Sequence, residues 1–322
     1  MQRDASKSED RVVVVVNTAS EKTIAEWRES LAEMAPHLEV RWWDDANLDP
    51  ADVRYAVVWK PEHGRLAHFT GLRMLFSLGA GVDNIVADPA WPRHVPLVRM
   101  VPAEGPQRMG EYVTWAALSL QKDLPRIFRS REAKNWDSFA TPTPATECTV
   151  GIMGLGAMGR RSADLLRGVG FPVIGWSRSR KALPFENFAG AEELDAFLAR
   201  SRILVCLLPA TPETTGILSA PLLVKLPRGA GLINAGRGAH QNLADIIAAL
   251  DEGHLTGAVL DVFDPEPLPA DSPAWIHPKI IVTSHIGAGP STRECARYVA
   301  TSISAFELRE ALYNLYDPTR GY

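Results

Sequence analysis

The sequence TVGIMGLGAMG, residues 149–159, decides the fold of this chain. Its first part predicts a buried strand, and residues 160–169 have the apolar spacing of a helix. The loop between strand and helix consists of Gly154, Leu155, Gly156, Ala157, Met158 and Gly159. The spacing G-x-G-x-x-G permits a tight turn, close approach of backbone N–H groups to a pyrophosphate, and close packing of helix on strand. An ordinary glycine-rich turn is the alternative, but the flanking elements favour a dinucleotide-binding loop.

The end of the next expected strand, residues 172–176, determines the choice of dinucleotide. An NAD site usually places an acidic residue there for the ribose hydroxyls, whereas an NADP site has a small residue and nearby arginines. Ser177 stands at this position, and Arg178 and Arg180 follow it. Two guanidinium groups can bind a 2′-phosphate, and no carboxylate is present to repel it. The sequence therefore predicts NADPH as the cofactor, with a solvated basic turn as the alternative.

Length and composition restrict the classes of protein. The 322 residues amount to about two domains of typical size. A hydrophobic fraction of 46% and a charged fraction of 22% are those of a folded globular chain. The 34 basic residues nearly balance the 38 acidic ones, and a net charge of -4 provides no field that would attract a polyanion. Nucleic acid is therefore not expected as a partner.

Apolar strand-like runs alternate with helical segments along the chain, which predicts parallel sheets with helices on both faces. Before the glycine loop, strands are expected at residues 12–16, 38–42, 55–59 and 73–77, with a helix over residues 21–34. From the loop onward, strands are expected at residues 149–153, 172–176, 203–208, 230–234, 257–260 and 280–283. The second set matches a complete dinucleotide-binding sheet.

The position of the glycine loop deep inside the chain predicts an insertion. Residues 291–313 are expected to be helical and to return to the first domain, because the second has no strand left for them to follow. We therefore expect a flavodoxin-like substrate domain formed by residues 1–103 and 290–322. A Rossmann cofactor domain, residues 104–289, is inserted into it. Both are doubly wound α/β domains with parallel sheets.

Residues 107–144 predict a dimerisation arm. A long amphipathic helix is expected over residues 107–128, followed by an irregular segment, residues 135–144, rich in Thr and Pro. The arm carries more apolar surface than a connector requires, in Trp115, Phe128, Trp136 and Phe139. Since symmetric dimers are the commonest soluble assembly, we expect a homodimer.

Neither a membrane span nor a metal site is expected. The apolar run at residues 12–16 is far shorter than the ~20 residues that cross a bilayer, and the charged, polar residues 1–10 predict a disordered leader and a cytoplasmic protein. Three widely spaced cysteines, Cys148, Cys206 and Cys295, fit reduced buried thiols. Structural roles are expected for six histidines without partners at metal-ligand spacing, His63, His68, His94, His240, His254 and His277.

Arg237, Glu266 and His285 each follow an expected strand of the second domain. Ligands of open α/β sheets bind beyond the carboxyl ends of the strands, so these three side chains could converge on one site. They are the groups needed to reduce a 2-oxo acid. Arg237 would hold the carboxylate and polarise the carbonyl, and His285 would protonate the carbonyl oxygen as hydride reaches the carbon. Glu266 would orient the imidazole and stabilise its protonated form.

With these motifs in this order, the chain resembles the D-2-hydroxyacid dehydrogenase family. The resemblance rests on VVW at residues 57–59, LGAGVD at 78–83, the glycine loop, WSR at 176–178, LPATPET at 208–214 and RGY at 320–322. It implies NADPH-dependent reduction of small 2-oxo acids, glyoxylate to glycolate and hydroxypyruvate to D-glycerate. It also implies that the backbone N–H groups of Ala80 and Gly81 bind the substrate carboxylate. Further cofactor contacts are implied at Leu208, Pro209, Thr214, Ala235 and Asp261, the last binding the nicotinamide amide.

Two residues depart from the family pattern, and the second of them, beside the expected substrate site, leaves the substrate open among small 2-oxo acids. Ser284 replaces a proline before the histidine, and Lys60 replaces a histidine after Trp59, a residue expected to form a wall of the substrate pocket. Two other functions compete with the reductase: an NAD-dependent dehydrogenase of another substrate, and a nucleotide-sensing, corepressor-like binding protein. Ser177 and Arg178 argue against the first. The joint presence of Arg237, Glu266 and His285 argues against the second.

Overall fold

The computed structural model describes residues 11–17, 21–140 and 143–321. The expected leader, residues 1–10, lies outside the described residues, as do residues 141 and 142 of the expected arm. The chain divides into two compact units. The first consists of Met1–Glu104 and Pro290–Tyr322, and the second of Gly105–Gly289. In the sequence, the second unit is therefore inserted between the two segments of the first.

The strands form one parallel sheet in each unit. The first unit contains β1 (Val12–Val16), β2 (Leu38–Trp42), β3 (Val53–Val58), β4 (Met74–Ser77) and β5 (Leu97–Arg99). The second contains β6 (Val150–Met153), β7 (Val173–Ser177), β8 (Asn187–Ala189), β9 (Ile203–Cys206), β10 (Ala230–Asn234), β11 (Leu255–Leu260) and β12 (Ile280–Val282). Two of these strands, β5 and β8, were not expected from the sequence.

The helices lie between the strands and after the last one. They are α1 (Glu21–Met34), α2 (Asp83–Val86), α3 (Glu104–Gln121), α4 (Leu124–Glu132), α5 (Ala157–Gly168), α6 (Leu194–Leu198), α7 (Ala220–Leu223), α8 (Leu243–Asp251) and α9 (Thr292–Glu307). In the part of the chain that the structure describes, no helix has both the length and the apolar character that a membrane crossing requires.

The first sheet has the strand order β2-β1-β3-β4-β5, which is the flavodoxin-like order. Strand β1 is a run of five valines that pairs in parallel with β2 on one side and β3 on the other. Its side chains alternate between two buried clusters, with Val14 and Val16 in one and Val15 in the other. Burial of both faces explains a continuous β-branched run in place of an alternating one.

The chain returns to the first unit through α9, which packs against α1. Trp27 and Leu31 of α1 share a buried cluster with Val299 and Ile303 of α9. The expected helix over residues 291–313 is wrong in its end, because α9 stops at Glu307. Arg309 there takes a φ of +59°, and its N–H and that of Glu310 bond back to the last turn, which closes the helix in a Schellman motif.

The second sheet has the order β12-β11-β10-β9-β6-β7-β8. Numbered within the unit, this is the doubly wound order 3-2-1-4-5-6 with one added edge strand, which confirms the Rossmann fold. The strand order reverses between β6 and β9. The carboxyl ends of β6, β7, β9, β10, β11 and β12 therefore carry the loops in which a dinucleotide site is expected.

The single long helix expected over residues 107–128 is wrong, since α3 and α4 are separate helices. Asp123 lies between them with a φ of +52°, and its carboxylate accepts the N–H of Arg126 at the start of α4. Pro125 has no N–H to bond to the carbonyl four residues earlier, so α3 cannot continue through it. All three cysteines are free and buried, which confirms the expectation for them.

Candidate active site

The glycine loop forms a cradle between β6 and α5. Gly154 takes a φ of +101°, and a β-carbon on Gly159 would lie 1.9 Å from the carbonyl oxygen of Gly154, so neither position accepts a side chain. Around Gly156, in contrast, no atom lies within 4 Å of where a β-carbon would be. This residue caps α5 without a side-chain hydrogen bond. Open space over the first-turn N–H groups of the helix fits a bound pyrophosphate.

The two arginines of the loop after β7, Arg178 and Arg180, have different surroundings. Ser177 donates its hydroxyl proton to the carbonyl of Ser179 at 2.9 Å, which turns the chain. Arg180 donates to the carbonyl of Asn187 at 2.5 Å and forms an ion pair with Glu193. Arg178 is exposed. The positive charge of its guanidinium affects Glu213 in the loop of residues 208–214, which the sequence assigns to the cofactor.

That loop, residues 208–214, follows β9. The pKa of Glu213 lies below its usual range, mainly because the Thr211 side chain hydrogen-bonds its carboxylate and in smaller part because of the positive charge of Arg178. Thr214 donates its hydroxyl proton to the carbonyl of Pro209 at 2.7 Å and accepts the N–H of Thr211 at 2.9 Å. Arg178 thus lies near a loop that is folded around the Thr214 hydroxyl.

Arg237 lies in a turn just after β10. Before the turn, Ala235 is buried and donates its N–H to the carbonyl of Cys206. The guanidinium of Arg237 donates to the carbonyl of Gly236 at 2.8 Å. A β-carbon at Gly238 would lie 2.0 Å from the carbonyl carbon of Phe263, so only glycine permits this contact. The turn that carries Arg237 therefore packs directly on the segment that leads to Glu266.

Glu266 and His285 form a pair. Nδ1 of His285 lies 3.1 Å from Oε1 and 3.0 Å from Oε2 of Glu266. Glu266 also accepts the N–H of Phe263 at 3.1 Å, which fixes the carboxylate. The side chains are 31% and 20% exposed, respectively, so solvent reaches the imidazole while the carboxylate is mostly covered. A carboxylate on Nδ1 leaves Nε2 as the ring nitrogen available to a substrate.

Asp261 shapes the loop that carries His285. The residue is 1% exposed, and its carboxylate accepts hydrogen bonds from the Thr283 hydroxyl and from the N–H groups of Ile286 and Gly287. The N–H of His285 donates to the Asp261 carbonyl at 2.8 Å. These bonds hold His285 at a φ of +55°, a conformation that non-glycine residues rarely adopt.

Sequence analysis did not identify Tyr112 and Thr283, whose hydroxyl groups are linked by hydrogen bonds to the carboxylate of Asp261. The hydroxyl of Tyr112 on α3 lies 2.7 Å from that of Thr283, which in turn donates to Asp261 at 2.6 Å. Burial and the nearby charge of Asp261 raise the pKa of Tyr112, so its phenol keeps its proton and donates it to Thr283. No sequence motif indicates this series of hydrogen bonds, because Tyr112 and Thr283 lie 171 positions apart.

The first unit carries the other expected substrate residues at adjacent strand ends. Trp59 follows β3, and its ring packs so closely on Gly79 that a β-carbon there would lie 2.6 Å from it. After β4, the carbonyl of Ala80 accepts from Nε of Arg99 at 2.9 Å, and that of Gly81 accepts from Ser77. Within the part of the chain that the structure describes, the N–H groups of Ala80 and Gly81 make no hydrogen bond. They are the groups that suit a carboxylate.

The remaining histidines contribute no metal site. Among the described residues, no group of three or more His, Cys, Asp and Glu side chains is placed to hold a metal ion. His240 is fully buried beside Arg237. Nε2 of His254 lies 2.9 Å from the backbone carbonyl oxygen of Leu223 and donates to it. Since a carbonyl only accepts, Nε2 of His254 carries a proton.

A doubly wound sheet with a glycine cradle at its first strand, and with arginine, glutamate and histidine after three adjacent strands, defines a nicotinamide-dependent dehydrogenase. Residues 114–287 match the family model described as "D-isomer specific 2-hydroxyacid dehydrogenase, NAD binding domain". The chain belongs to the D-isomer specific 2-hydroxyacid dehydrogenase family, which confirms the resemblance found in the sequence.

Three relatives show how far the similarity extends. The chain is 41% identical over 305 residues to glyoxylate/hydroxypyruvate reductase A of Salmonella paratyphi B, covering 92% of this chain and 96% of that protein. A family member from Xanthobacter autotrophicus, solved with NADPH and MES, has a TM-score of 0.89 and 39% identity over 96% of this chain and 99% of that one. An NADPH-dependent glyoxylate/hydroxypyruvate reductase from Sinorhizobium meliloti, solved with NADP and sulfate, has a TM-score of 0.90 and 38% identity with the same coverage.

Proposed function

We propose that this protein is an NADPH-dependent reductase of small 2-oxo acids that converts glyoxylate to glycolate and hydroxypyruvate to D-glycerate. The observation that carries the proposal is the His285–Glu266 pair, which follows β11 and β12, beside the turn of Arg237 after β10. Similarity to reductases that use these two acids supports the choice of substrate.

In this proposal, Arg237 binds the substrate carboxylate and withdraws electron density from the adjacent carbonyl. His285 donates the proton on Nε2 to the carbonyl oxygen, while Glu266 stabilises the imidazolium through Nδ1. NADPH supplies, when bound, the hydride that reduces the carbonyl carbon. In the first unit, we assign the backbone N–H groups of Ala80 and Gly81 to binding of a carboxylate and Trp59 to an apolar wall of a substrate pocket.

The cofactor is assigned to the second unit. The first-turn N–H groups of α5 and the open space at Gly156 accept the pyrophosphate. Arg178 binds the 2′-phosphate beside Ser177, together with the loop of Leu208, Pro209 and Thr214. The partner of Arg180 is Glu193, so Arg180 contributes mainly by placing the loop. The family resemblance assigns the nicotinamide amide to Asp261 and a further cofactor contact to Ala235.

We assign the arm, residues 107–144, to a homodimer in the cytoplasm. Trp136 is 95% exposed, and Trp115, Ile127 and Phe128 are also exposed in this segment. The arm is held together by Arg126, whose guanidinium bonds both oxygens of Asp137 and stacks 4.1 Å from the centre of the Phe139 ring. A second copy of the chain would bury these aromatic rings.

The test is a steady-state assay of the purified protein with glyoxylate, hydroxypyruvate and pyruvate, each with NADPH and with NADH. We expect the highest kcat/KM for glyoxylate or hydroxypyruvate with NADPH. No turnover of any of the three acids would contradict the reductase, and an equal or higher kcat/KM with NADH would contradict the cofactor assignment.

A further inference from the structure

His240 is a fully buried histidine within the dehydrogenase site, and the proposed chemistry gives it no task. It ends the short turn Gly238–His240 that directly follows Arg237. Nδ1 of its ring lies 3.1 Å from the backbone nitrogen of Arg237, and Nε2 lies 3.1 Å from the carbonyl oxygen of Pro209. Both ring nitrogens are therefore engaged with backbone of the proposed site.

The partners determine where the ring carries its proton. The N–H of Arg237 only donates, so Nδ1 of His240 accepts; the carbonyl of Pro209 only accepts, so Nε2 donates. Burial raises the pKa of the Cys206 thiol to about 12, so Cys206, whose sulfur lies 3.6 Å from Nδ1, keeps its proton and places no negative charge beside the ring. His240 is thus a neutral imidazole with its proton on Nε2.

The two backbone groups belong to different parts of the site. Arg237 is the proposed substrate anchor, and Pro209 begins the proposed cofactor loop, where the Thr214 hydroxyl also donates to the Pro209 carbonyl at 2.7 Å. The connection is direct, because a single rigid ring spans the turn after β10 and the loop after β9. Two backbone hydrogen bonds also join these parts of the chain, because Gly216 and Leu218 donate their N–H groups to the carbonyls of Ala239 and His240.

We propose that His240 is a positioning residue that fixes the substrate anchor Arg237 through Nδ1 and the cofactor loop at Pro209 through Nε2. This inference rests on the proposed function, because the roles of the two segments come from it. Loss of the Nδ1 contact should weaken the binding of substrate, and loss of the Nε2 contact should weaken the binding of NADPH. A histidine that only filled the core would affect both ligands together.

Two substitutions separate the nitrogens. In His240→Asn, the amide oxygen occupies the place of Nδ1 and still accepts the Arg237 N–H, but nothing replaces Nε2. In His240→Gln, the terminal amide reaches the place of Nε2 and still donates to Pro209, but the acceptor for Arg237 is lost. His254→Gln is the matched control, because it makes the same substitution at another histidine whose Nε2 donates to a backbone carbonyl of the same unit, at Leu223.

The readouts are the Kd of NADPH, measured without substrate by its fluorescence, and the KM for hydroxypyruvate at saturating NADPH. We expect His240→Asn to raise the NADPH Kd about tenfold with little change in KM, and His240→Gln to raise KM about tenfold with little change in Kd. His254→Gln should leave both constants unchanged. Thermal unfolding by circular dichroism confirms that each variant is folded.

The crossed pattern supports the proposal, and every other pattern contradicts it. Equal effects of both variants on Kd and KM, or unfolding of both, would show that His240 serves stability alone, and no effect of either would show that it positions neither segment. If one variant unfolds, the other still makes a one-sided prediction. Failure of the proposed function is distinguishable, because a wild-type enzyme that turns over no 2-oxo acid still allows the NADPH Kd values of the variants to test the Pro209 contact.

Discussion

Nδ1 of His285 faces both carboxylate oxygens of Glu266, at 3.1 and 3.0 Å, although the two residues lie on different loops. The backbone of His285 is held at a φ of +55° by the bonds of its loop to Asp261. Two carboxylates therefore set the orientation of the imidazole. That of Glu266 contacts the ring, and that of Asp261 binds the backbone of the loop that carries His285.

The first prediction concerns the pH dependence of reduction. In Glu266→Gln the protonated imidazole of His285 loses its negative partner, so it gives up its proton at lower pH. We expect the alkaline limb of the kcat/KM profile to move to lower pH, with activity retained near the optimum. Asp264→Asn, which changes an exposed carboxylate two residues away, should leave the profile in place. An unchanged limb, or a shift to higher pH, would disprove the pairing.

The second prediction concerns proton donation. His285→Ala removes the group that protonates the carbonyl oxygen, and such transfers typically contribute ~10²- to 10⁴-fold. We expect kcat to fall by this range while the Kd of NADPH stays at its wild-type value. His94→Ala, at an exposed position, is the control. Activity within about tenfold of the wild type would remove His285 from the chemistry.

The third prediction concerns the substrate anchor. Arg237→Ala leaves the substrate carboxylate without its charged partner, so KM should rise and kcat should fall. We expect kcat/KM to decrease at least about 30-fold, since loss of one member of a charged pair costs roughly 2 kcal/mol or more. Arg228→Ala changes an exposed arginine of the same unit and should have no effect. A rise in KM for NADPH alone would assign Arg237 to the cofactor instead.

The fourth prediction concerns the 2′-phosphate. The double variant Ser177→Asp/Arg178→Ala introduces a carboxylate and removes a guanidinium, so the ratio of kcat/KM for NADPH over NADH should invert. Arg180→Ala should change this ratio much less, because its guanidinium is occupied by Glu193 and the Asn187 carbonyl. If Arg180→Ala has the larger effect, the phosphate lies on the other side of the loop.

The fifth prediction concerns assembly. The wild-type chain has a mass of 35.2 kDa, and light scattering at micromolar concentration should give twice this value. Trp136→Ser removes the most exposed large apolar side chain of the arm, so the variant should dissociate at higher concentration than the wild type. Trp275→Ser, which changes an exposed tryptophan outside the arm, is the control. A wild-type mass of one chain would rule out the dimer.

Local sequence pattern predicted most of the scaffold, because the signals it uses extend over neighbouring residues. Strands β1, β2 and β10 have the ends that the sequence predicts, at residues 12–16, 38–42 and 230–234. In contrast, β5 and β8 have only three residues each, and unlike the equally short but wholly apolar β12 each contains a polar residue, Arg99 or Asn187, that interrupts the apolar run. The break between α3 and α4 did have a local signal in Pro125, but the apolar spacing that continues past it concealed the break.

The candidate site, like the scaffold, could be predicted from the sequence only in part. Strand ends place Arg237, Glu266 and His285 in loops after adjacent strands, and this placement follows from topology alone. The contacts that fix them do not, since Tyr112 reaches Thr283 from another helix and His240 reaches Pro209 from 31 positions away. Such contacts depend on how whole elements pack, and a single sequence records no pairing between them.

The insertion also determines the order in which the protein can be completed during synthesis. Residues 105–289 leave the ribosome before α9, so the second unit has all its strands while the first still lacks a helix. Until then, Trp27 and Leu31 on α1 have no partners from Val299 and Ile303. The unit that starts first thus finishes last, contrary to the usual N-to-C order of domain folding on the ribosome.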